Sequence, residues 1–506
     1  MTAALDVLVV GAGPTGLALA AQLRAHGGDF RIVDRSLDRV RESRALAIQP
    51  RTLEALAGFG VTDELVKRGN PAVQLRMHLP GRVVQMALFS GELTDTPYSF
   101  LLFLSQAETE SVLAECLEAE GVTVERGTEL LRLERQGGYV TCRLRRRQDG
   151  REETVRARYV VGCDGAHSTV RSEAGIDFLG SAYPQTFLLA DLEADGLEPG
   201  VAHTFMTDAG MLFFFPLGKP ATWRMLAMRP PGSPGAEVTL GLMQEIVDRY
   251  ADEELRLRDP VWMTDFRLHR RGATHYRSGP FFLAGDAAHI HSPAGAQGMN
   301  TGIQDALNLG WKLALVCRGA APQELLETYE AERAPVGRRV LRFTDRAFTI
   351  ATSRNPVLRL ARVQLAPRIA PLALRASGLR NRVFRTVSEL DIHYRRSPVS
   401  VGSRAFRNGP RAGDRLPDLP HGLQSRTAGP GCHLLLTGPH HLWPDQRIAP
   451  VICGREDLIS VHRLGAESPW PDVAQGLVRP DGYLGYVARG LQLEGLHAYL
   501  NRWLPS

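Results

Sequence analysis

The pattern of apolar and polar positions opens on a short continuous apolar run, residues 7–10, of the kind a strand buried on both faces of a parallel sheet requires. Gly11, Gly13 and Gly16 follow at G-x-G-x-x-G spacing. Residues 14–26 are apolar around the whole circumference of a helix, Gly27-Gly28 ends them, and a second apolar run, 30–33, delivers Asp34. The pattern predicts a β-α-β unit. In such a unit the first glycine permits the tight turn, the second lets a pyrophosphate approach the backbone, and the third lets the helix pack on the sheet. The helix N-terminus offers N–H groups to the phosphates and the acid accepts from a ribose hydroxyl. A bound dinucleotide is expected; this stretch alone does not separate FAD from NAD.

Further along, a helix is predicted after Pro50, and period-two alternation over 74–98, with a turn signal at Pro80-Gly81, predicts a hairpin. A buried strand at 100–104, a helix at 107–120 and a short strand at 122–125 follow. Residues 139–147 and 154–161 form a hairpin around Asp149-Gly150. That last strand runs into Asp164-Gly165 and a helix at 168–174. Residues 182–270 change character: strands at 187–192, 203–207, 211–216, 222–228 and 262–269 with one amphipathic helix near 240–252 predict a mostly antiparallel second domain. Met211, Phe213, Phe215 and Trp223 are its candidates for an apolar pocket wall, against the plainer reading of sheet core. A strand at 281–284 then leads into Gly285-Asp286, a loop of small residues to Asn300 and a long helix, 301–317. Helix continues over 325–343, where Pro335 is expected to kink or break it. Residues 353–397 read as broken, arginine-rich helices. Beyond Pro398, strands at 433–436, 451–453, 458–462, 474–479 and 484–489 and a helix at 491–504 predict a small α/β domain.

Composition narrows this picture without redirecting it. At 506 residues the length predicts two to four domains, and 44% hydrophobic and 23% charged residues are ordinary for a globular enzyme. No run of 18 apolar residues exists, so no membrane span is expected; with a strand starting at once, neither is a secretory leader, and a cytoplasmic location is expected. The six cysteines show no C-x-x-C and no metal-spaced Cys/His pair, so reduced thiols and no metal are expected. The net charge of +5 rests on 57 arginines (60 basic residues less Lys67, Lys219 and Lys312) with no basic tract interleaved with aromatics, so nucleic acid is not an expected partner.

Four motifs in order, GAGPTG, RALAIQPRTLE, CDGAHSTVR and GDAAHIHSPAGAQGMNTGIQDALNLGWKLA, resemble the class A flavoprotein aromatic hydroxylases, the group of para-hydroxybenzoate and phenol hydroxylases, over about residues 5–350. The ending LVRPDGYLGYVAR resembles the thioredoxin-like appendage of the aromatic polyketide hydroxylases, here without C-x-x-C. The resemblance implies an α/β fold. A Rossmann-like FAD domain (1–75, 99–181, 272–352) carries an inserted, mostly antiparallel β-sheet substrate domain (76–98, 182–271). A helical linker (353–397) and a thioredoxin-like domain (398–506) follow.

It also implies roles by position. Gly11, Gly13, Pro14, Thr15, Gly16, Asp34 and Arg35 would bind the ADP half of FAD, with Arg44 and Gln106 as further FAD contacts. From spacing alone, Arg44 is equally a solvated helix-end charge. Asp164 would serve FAD and the nicotinamide cofactor together; Gly285 and Asp286 would bind the ribityl chain; Pro293, Gly295, Gly298, Met299 and Asn300 would cradle the isoalloxazine. His289 and His291 are expected to be structural. The implied activity is NADPH- or NADH-consuming monooxygenation of an aromatic, natural-product substrate by dioxygen through a flavin hydroperoxide, in a monomer or homodimer. Baeyer–Villiger insertion and a non-catalytic flavin-binding redox sensor are the alternatives; the halogenase signature W-x-W-x-I-P is absent.

Overall fold

The computed structural model describes residues 4–38, 45–72, 74–79, 82–87, 93–207, 210–218, 221–229, 237–251, 254–292, 295–352, 355, 377–402, 409–465 and 467–506. Arg44, Pro293 and most of the 353–397 segment lie outside the described residues.

The continuous apolar runs become the centre of one eight-stranded sheet. Strand Leu5–Val10 pairs in parallel with Phe30–Asp34 on one side and Glu152–Gly162 on the other; Val124–Arg126 and Phe281–Leu283 extend the parallel set outward. The first half of strand 152–162 also pairs with the antiparallel ribbon Thr128–Gln136 and Tyr139–Arg146. The helices that place the site are α1 (Pro14–Ala25), α2 (Pro50–Leu56), α3 (Thr62–Arg68), α4 (Gln106–Ala119), α5 (Thr169–Glu173), α6 (Leu240–Tyr250), α7 (Gly298–Cys317) and α8 (Glu327–Thr352). Helices α1 and α7 pack closely because glycines leave the room. A Cβ on Gly302 would lie 2.6 Å from Thr15 Oγ1, and one on Gly310 would lie 2.7 Å from Gln22.

A second eight-stranded sheet is mostly antiparallel and runs, edge to edge, His289–Ile290, Arg256–Ala273, Phe178–Asp195, Trp223–Met228, Gly210–Pro216, Ala202–Thr207, Gln74–Leu79, Arg82–Ala87. A five-stranded sheet (Val401–Gly402, Leu484–Arg489, Ala474–Val478, Cys432–Leu436, Ile459–Arg463) organises the C-terminal part. It is not set apart: Cys432, Leu434, Trp443, Tyr486, Tyr499 and Trp503 belong to the same apolar cluster as strand 5–10 and helices α1 and α7.

Three local expectations change. Strands 178–195 and 256–273 are each 18 residues long, far beyond the predicted spans, because bulges near Ala182/Thr186 and Asp191/Glu193 shift the alternation and hide the continuity. Helix α8 runs through Pro335 without ending. Its neighbours Glu332, Arg333, Val336 and Val340 are buried, and packing on both sides outweighs a cost of about 3 kcal/mol for the missing N–H. Residues 451–452, predicted as strand with Cys453, instead end the helix Asp445–Ile452; an apolar triplet is too short to show a period.

Candidate active site

Parallel strands end at one edge of the first sheet, and that edge collects the motif residues. Val10 lies beside Val33 and Gly162, and Gly162 beside Leu283. The turns that follow these four residues are therefore neighbours, and they carry Gly11, Asp34, Asp164 and Gly285-Asp286. Ligands of open α/β sheets sit in this crevice. A cleft of about 210 Å³ there is lined by Gly11, Gly13, Asp34, Arg35, Gln106 and Asp164 among others.

The glycines divide their duties. Gly11 has φ +104°, and a Cβ on it would lie 2.3 Å from the Cys163 carbonyl oxygen; a Cβ on Gly16 would lie 1.9 Å from the Gly11 oxygen. Both are demanded by the packing of the chain on itself. Among the described residues a Cβ on Gly13 would meet nothing closer than a Glu110 oxygen at 3.9 Å, so this backbone is open to a ligand. Gly13 is also the N-cap of α1 and supplies no side-chain cap, which leaves the helix N–H groups free for an anion. Arg126, at the end of the neighbouring strand, lines the same cleft and has a buried Nη2 with no partner among the described residues. An open glycine wall, an uncapped helix and an unanswered cation fit the phosphates of FAD.

The carboxylates are more committed than their spacing suggested. Asp34 accepts from the Ala12 N–H at 2.6 Å and the Ser36 N–H at 2.7 Å, which fixes the turn and leaves lone pairs toward the cleft. Asp164 accepts from the Ser168 hydroxyl and from the N–H groups of Thr169 (2.7 Å) and Val170 (3.2 Å), so it caps α5; burial pushes its pKa up. Gln106 donates to Glu110 at 2.8 Å. Asp286 sits exposed in the single 3₁₀ turn Gly285–Ala287.

The second group of motif residues gathers at the N-terminus of α7. Asn300 is fully buried and wholly engaged. Its Oδ1 accepts from the Gln49 N–H at 2.8 Å, and its Nδ2 donates to the carbonyls of Ala47 (2.9 Å) and Ala296 (2.8 Å). Gln49 donates to the Gly295 carbonyl at 2.9 Å, and its own Oε1 is buried without a partner among the described residues. The loop 295–300 is thus sewn to the segment after Arg44. Gly295 takes φ +82°, and Met299 is half-buried against the core. Asp305 braces the helix. Its Oδ1 accepts from Arg333 Nε at 2.6 Å, and its Oδ2 from His289 Nε2 at 2.7 Å and the Gly285 N–H at 3.1 Å. His291 Nδ1 faces the Ser292 carbonyl at 2.8 Å, and burial lowers its pKa to about 4, which keeps the ring neutral. His289 is thereby tied to α7 and His291 to its own loop.

The second sheet turns one face toward this loop. Phe213 and Phe215 stack at 5.8 Å on that face, with Phe187, Leu226 and Phe266 beside them and Phe348 from α8 against them. Phe215 also stacks on Phe103, and both Phe215 and Ala296 of the loop border the apolar cluster around Phe103. Met211 shares their register and is half-buried. Trp223 does not join them. It is 2% exposed on the opposite face, packed with Phe205, Phe214 and α6. The reason is the period of two: strand 223–228 points residue 223 away from the face that carries 224 and 226. Phe213→Ala should therefore alter substrate KM or product pattern with little loss of stability. Trp223→Ala should cost about 3–5 kcal/mol in a denaturant melt. On the loop-facing side, Arg224 holds buried Asp191 with two 2.6 Å bonds and donates to the Ala45 carbonyl at 3.0 Å.

Sequence reasoning passed over Arg126, Gln49, Glu110 and the Asp191–Arg224 pair. Gln49 was visible inside the RALAIQP motif. The others had no local signal, because strand pairing and burial alone bring them to the site.

Comparison with known proteins agrees with this geometry. The FAD binding domain family matches residues 4–344. A 6-methylpretetramide 4-monooxygenase from Streptomyces rimosus is 41% identical over 405 residues, 79% of this chain and 71% of the relative. An anhydrotetracycline monooxygenase from Streptomyces rimosus is 32% identical, covering 98% of each chain. Among solved structures, OxyS anhydrotetracycline hydroxylase from Streptomyces rimosus superposes with TM-score 0.80 at 30% identity over 100% of both chains. CabE, an aromatic hydroxylase from angucycline biosynthesis, superposes with TM-score 0.78 at 31% identity over 99% of both. With the glycine-walled cleft, the sewn loop at α7 and these relatives in hand, the chain belongs to the FAD-binding class A flavoprotein hydroxylases of the aromatic polyketide group and is an FAD-dependent aromatic monooxygenase.

Proposed function

We propose that the enzyme hydroxylates a fused-ring aromatic polyketide, using NADPH or NADH as a transient reductant. The observation that carries this reading is the meeting of the aromatic face of the second sheet with the loop at the N-terminus of α7, where Phe215 and Ala296 border the same apolar cluster of Leu46, Ala47, Phe103 and Leu217. The substrates named for the tetracycline and angucycline relatives support a multi-ring ligand.

Bound FAD supplies electron acceptance from the nicotinamide and activation of dioxygen for transfer of one oxygen atom to an electron-rich ring carbon. The chain's own share is positional. Gly13, the α1 N-terminus, Asp34 and Arg126 would hold the ADP half; the sewn loop 295–300 and the N-terminus of α7 would hold the ring system. The N–H groups there favour negative charge on the ring's polar edge. Phe213, Phe215 and Phe266 would exclude water and bury the flat substrate. Asp191 is held from both oxygens by Arg224, so it orients the wall and does not act as a base.

The reductant has a candidate path. A cleft of about 420 Å³ between the long strand pair and α8 is lined by Arg270, Arg271, Arg338, Arg342 and Asp345. Arg270 is paired with Asp345, which leaves three guanidinium groups facing an anion such as a dinucleotide phosphate. Arg271 pairs in register with Ile290, close in sequence to the flavin loop. Arg338→Glu should raise the KM for the nicotinamide cofactor at least about tenfold, about 1.4 kcal/mol, while FAD content stays at the wild-type level.

The deciding experiment is stopped-flow reduction by NADPH and NADH with and without a polycyclic phenol, followed by mass analysis. Substrate-stimulated reduction and a gain of one oxygen with the ring intact support hydroxylation. A ring-expanded product would instead mean Baeyer–Villiger insertion. A flavin that neither nucleotide reduces with any substrate would overturn the reading.

A further inference from the structure

We propose that Glu389 is the proton-accepting group coupled to reduction of the flavin: its carboxylate, buried against the first turn of α7, takes up a proton when negative charge arrives at that helix end. The inference rests on the assignment of the ring system to the N-terminus of α7.

Glu389 is 2% exposed and has φ +61°, a left-handed backbone unusual for a residue with a side chain. Such strain persists only where surrounding contacts hold it, and it collects at functional sites. Here the contacts are specific. The Glu389 carboxylate accepts from Thr301 Oγ1 at 3.0 Å and from Gln304 Nε2, both on α7. Just before it, the carbonyls of Thr386 and Val387 accept from Gln297, the N-cap of α7, and the Ser388 carbonyl accepts from the Arg51 N–H of α2. The segment 386–389 is thus clamped onto the helix end that holds the flavin loop.

Among the described residues Glu389 has no salt-bridge partner. The charged groups around it are committed elsewhere. Arg333 of α8 favours its ionised form but spends its guanidinium on Asp305, the Tyr394 hydroxyl and the Thr301 carbonyl. Asp305 of α7 disfavours that form. Arg51 of α2 pairs with Glu54 and the Asp481 carbonyl. On its own loop Arg385 pairs with Asp95, and Asp391 with Arg339 and Thr386. A carboxylate buried with two neutral donors and no counter-ion is costly, and burial pushes its pKa up to about 7. Added negative charge nearby disfavours ionisation further.

The step balances. As the nicotinamide C–H bond breaks and the flavin N–H bond forms, hydride carries two electrons and one proton into the ring, which gains one negative charge. Glu389 then binds one proton from solvent as a new O–H bond, and the net charge at the helix end is unchanged.

The test uses the FAD-loaded full chain. Midpoint potentials are measured by dye equilibration from pH 5.5 to 9, and the infrared difference spectrum is recorded on reduction. One proton per two electrons gives about 30 mV per pH unit, and a second proton gives about 60 mV. The wild type should steepen from the first slope to the second above about pH 7 and show a new protonated-carboxyl band. Glu389→Gln should keep the shallow slope throughout and lack the band. Thr301→Val removes a bond that favours the carboxylate and should move the break to lower proton demand in the wild-type window, raising the pH at which it appears. If Glu389→Gln fails to hold FAD, the Thr301→Val shift and the wild-type band decide. A shallow wild-type slope without the band, or one identical in Glu389→Gln, overturns the proposal while leaving the flavin assignment standing. A chain that binds no flavin fails that assignment instead.

Discussion

Replacing Arg479 with Ala should cost about 3–5 kcal/mol and release FAD at a lower denaturant concentration than in the wild type. Arg479 is buried at the tip of the C-terminal sheet and reaches into the nucleotide-binding part of the molecule. It donates to Glu332 of α8 at 2.6 and 2.9 Å and to Asp481 at 3.0 Å. Lys312 and Asn308 of α7 share the same Glu332 at 2.8 and 2.7 Å, and Asn308 also reaches Asp481 at 3.0 Å. Arg51 of α2 closes the cluster on the Asp481 carbonyl. Loss of the guanidinium leaves two buried carboxylates sharing one lysine, and the damage falls on α7, the helix proposed to carry the flavin loop. Flavin fluorescence on release, followed against urea, checks it. Wild-type denaturant tolerance in Arg479→Ala would show that the C-terminal part is only tethered.

The same cluster sets a pH dependence. Arg479 and Lys312 hold Glu332 well below its ordinary 4.5, against the opposing effect of burial. A depressed carboxylate contributes stability that is present above its unfolded value and lost as pH falls through its folded one. Wild type should therefore keep this contribution into strongly acid solution. Arg479→Ala should unfold at a higher pH, readable in an acid titration by circular dichroism.

Gly11→Ala is the second large effect expected. The residue would have to keep φ +104° with a side chain while its Cβ stood 2.3 Å from the Cys163 carbonyl oxygen and 2.8 Å from the Asp164 nitrogen. The obstacle is backbone of the adjacent strand end, so relief requires the first turn to leave the second. FAD content after purification should fall at least about tenfold, with the far-ultraviolet spectrum retained; a loss of only about 1.4 kcal/mol of binding suffices for that. Gly13→Ala provides the contrast. Among the described residues nothing outside the helix itself stands closer than 3.9 Å to its added methyl, so the fold is kept and any loss of FAD there reports the approach of the cofactor.

Much of the site was legible because its chemistry is local. A glycine needed for a positive φ, a small residue where a helix start packs on the turn before it and an acid at a strand end leave marks at fixed spacing. Gly11, Gly16 and Asp34 are of that kind. The pair Phe213 and Phe215 was legible as a period of two, and Trp223 was misplaced because a strand's period says which residues share a face but not which face neighbouring strands turn inward. Asp164 and Asn300 show the other limit: their motifs identified them as site residues, whereas the structure engages the one in capping α5 and the other in tying two segments together.

By itself the sequence determined the order of elements, the dinucleotide turn and the set of motifs that meet at one sheet edge, since each depends on backbone sterics and hydrophobic period within a few dozen residues. Only the tertiary structure decided what long-range pairing controls. It made the C-terminal sheet part of the central core, and it carried Arg479 to Glu332 and Arg126 into the cleft beside Gly13 and Asp34. It also buried Glu389 against α7 without a salt-bridge partner among the described residues. The physical reason is that a charge's cost and purpose are set by its neighbours and its distance from water, and neither is written in the residues on either side of it.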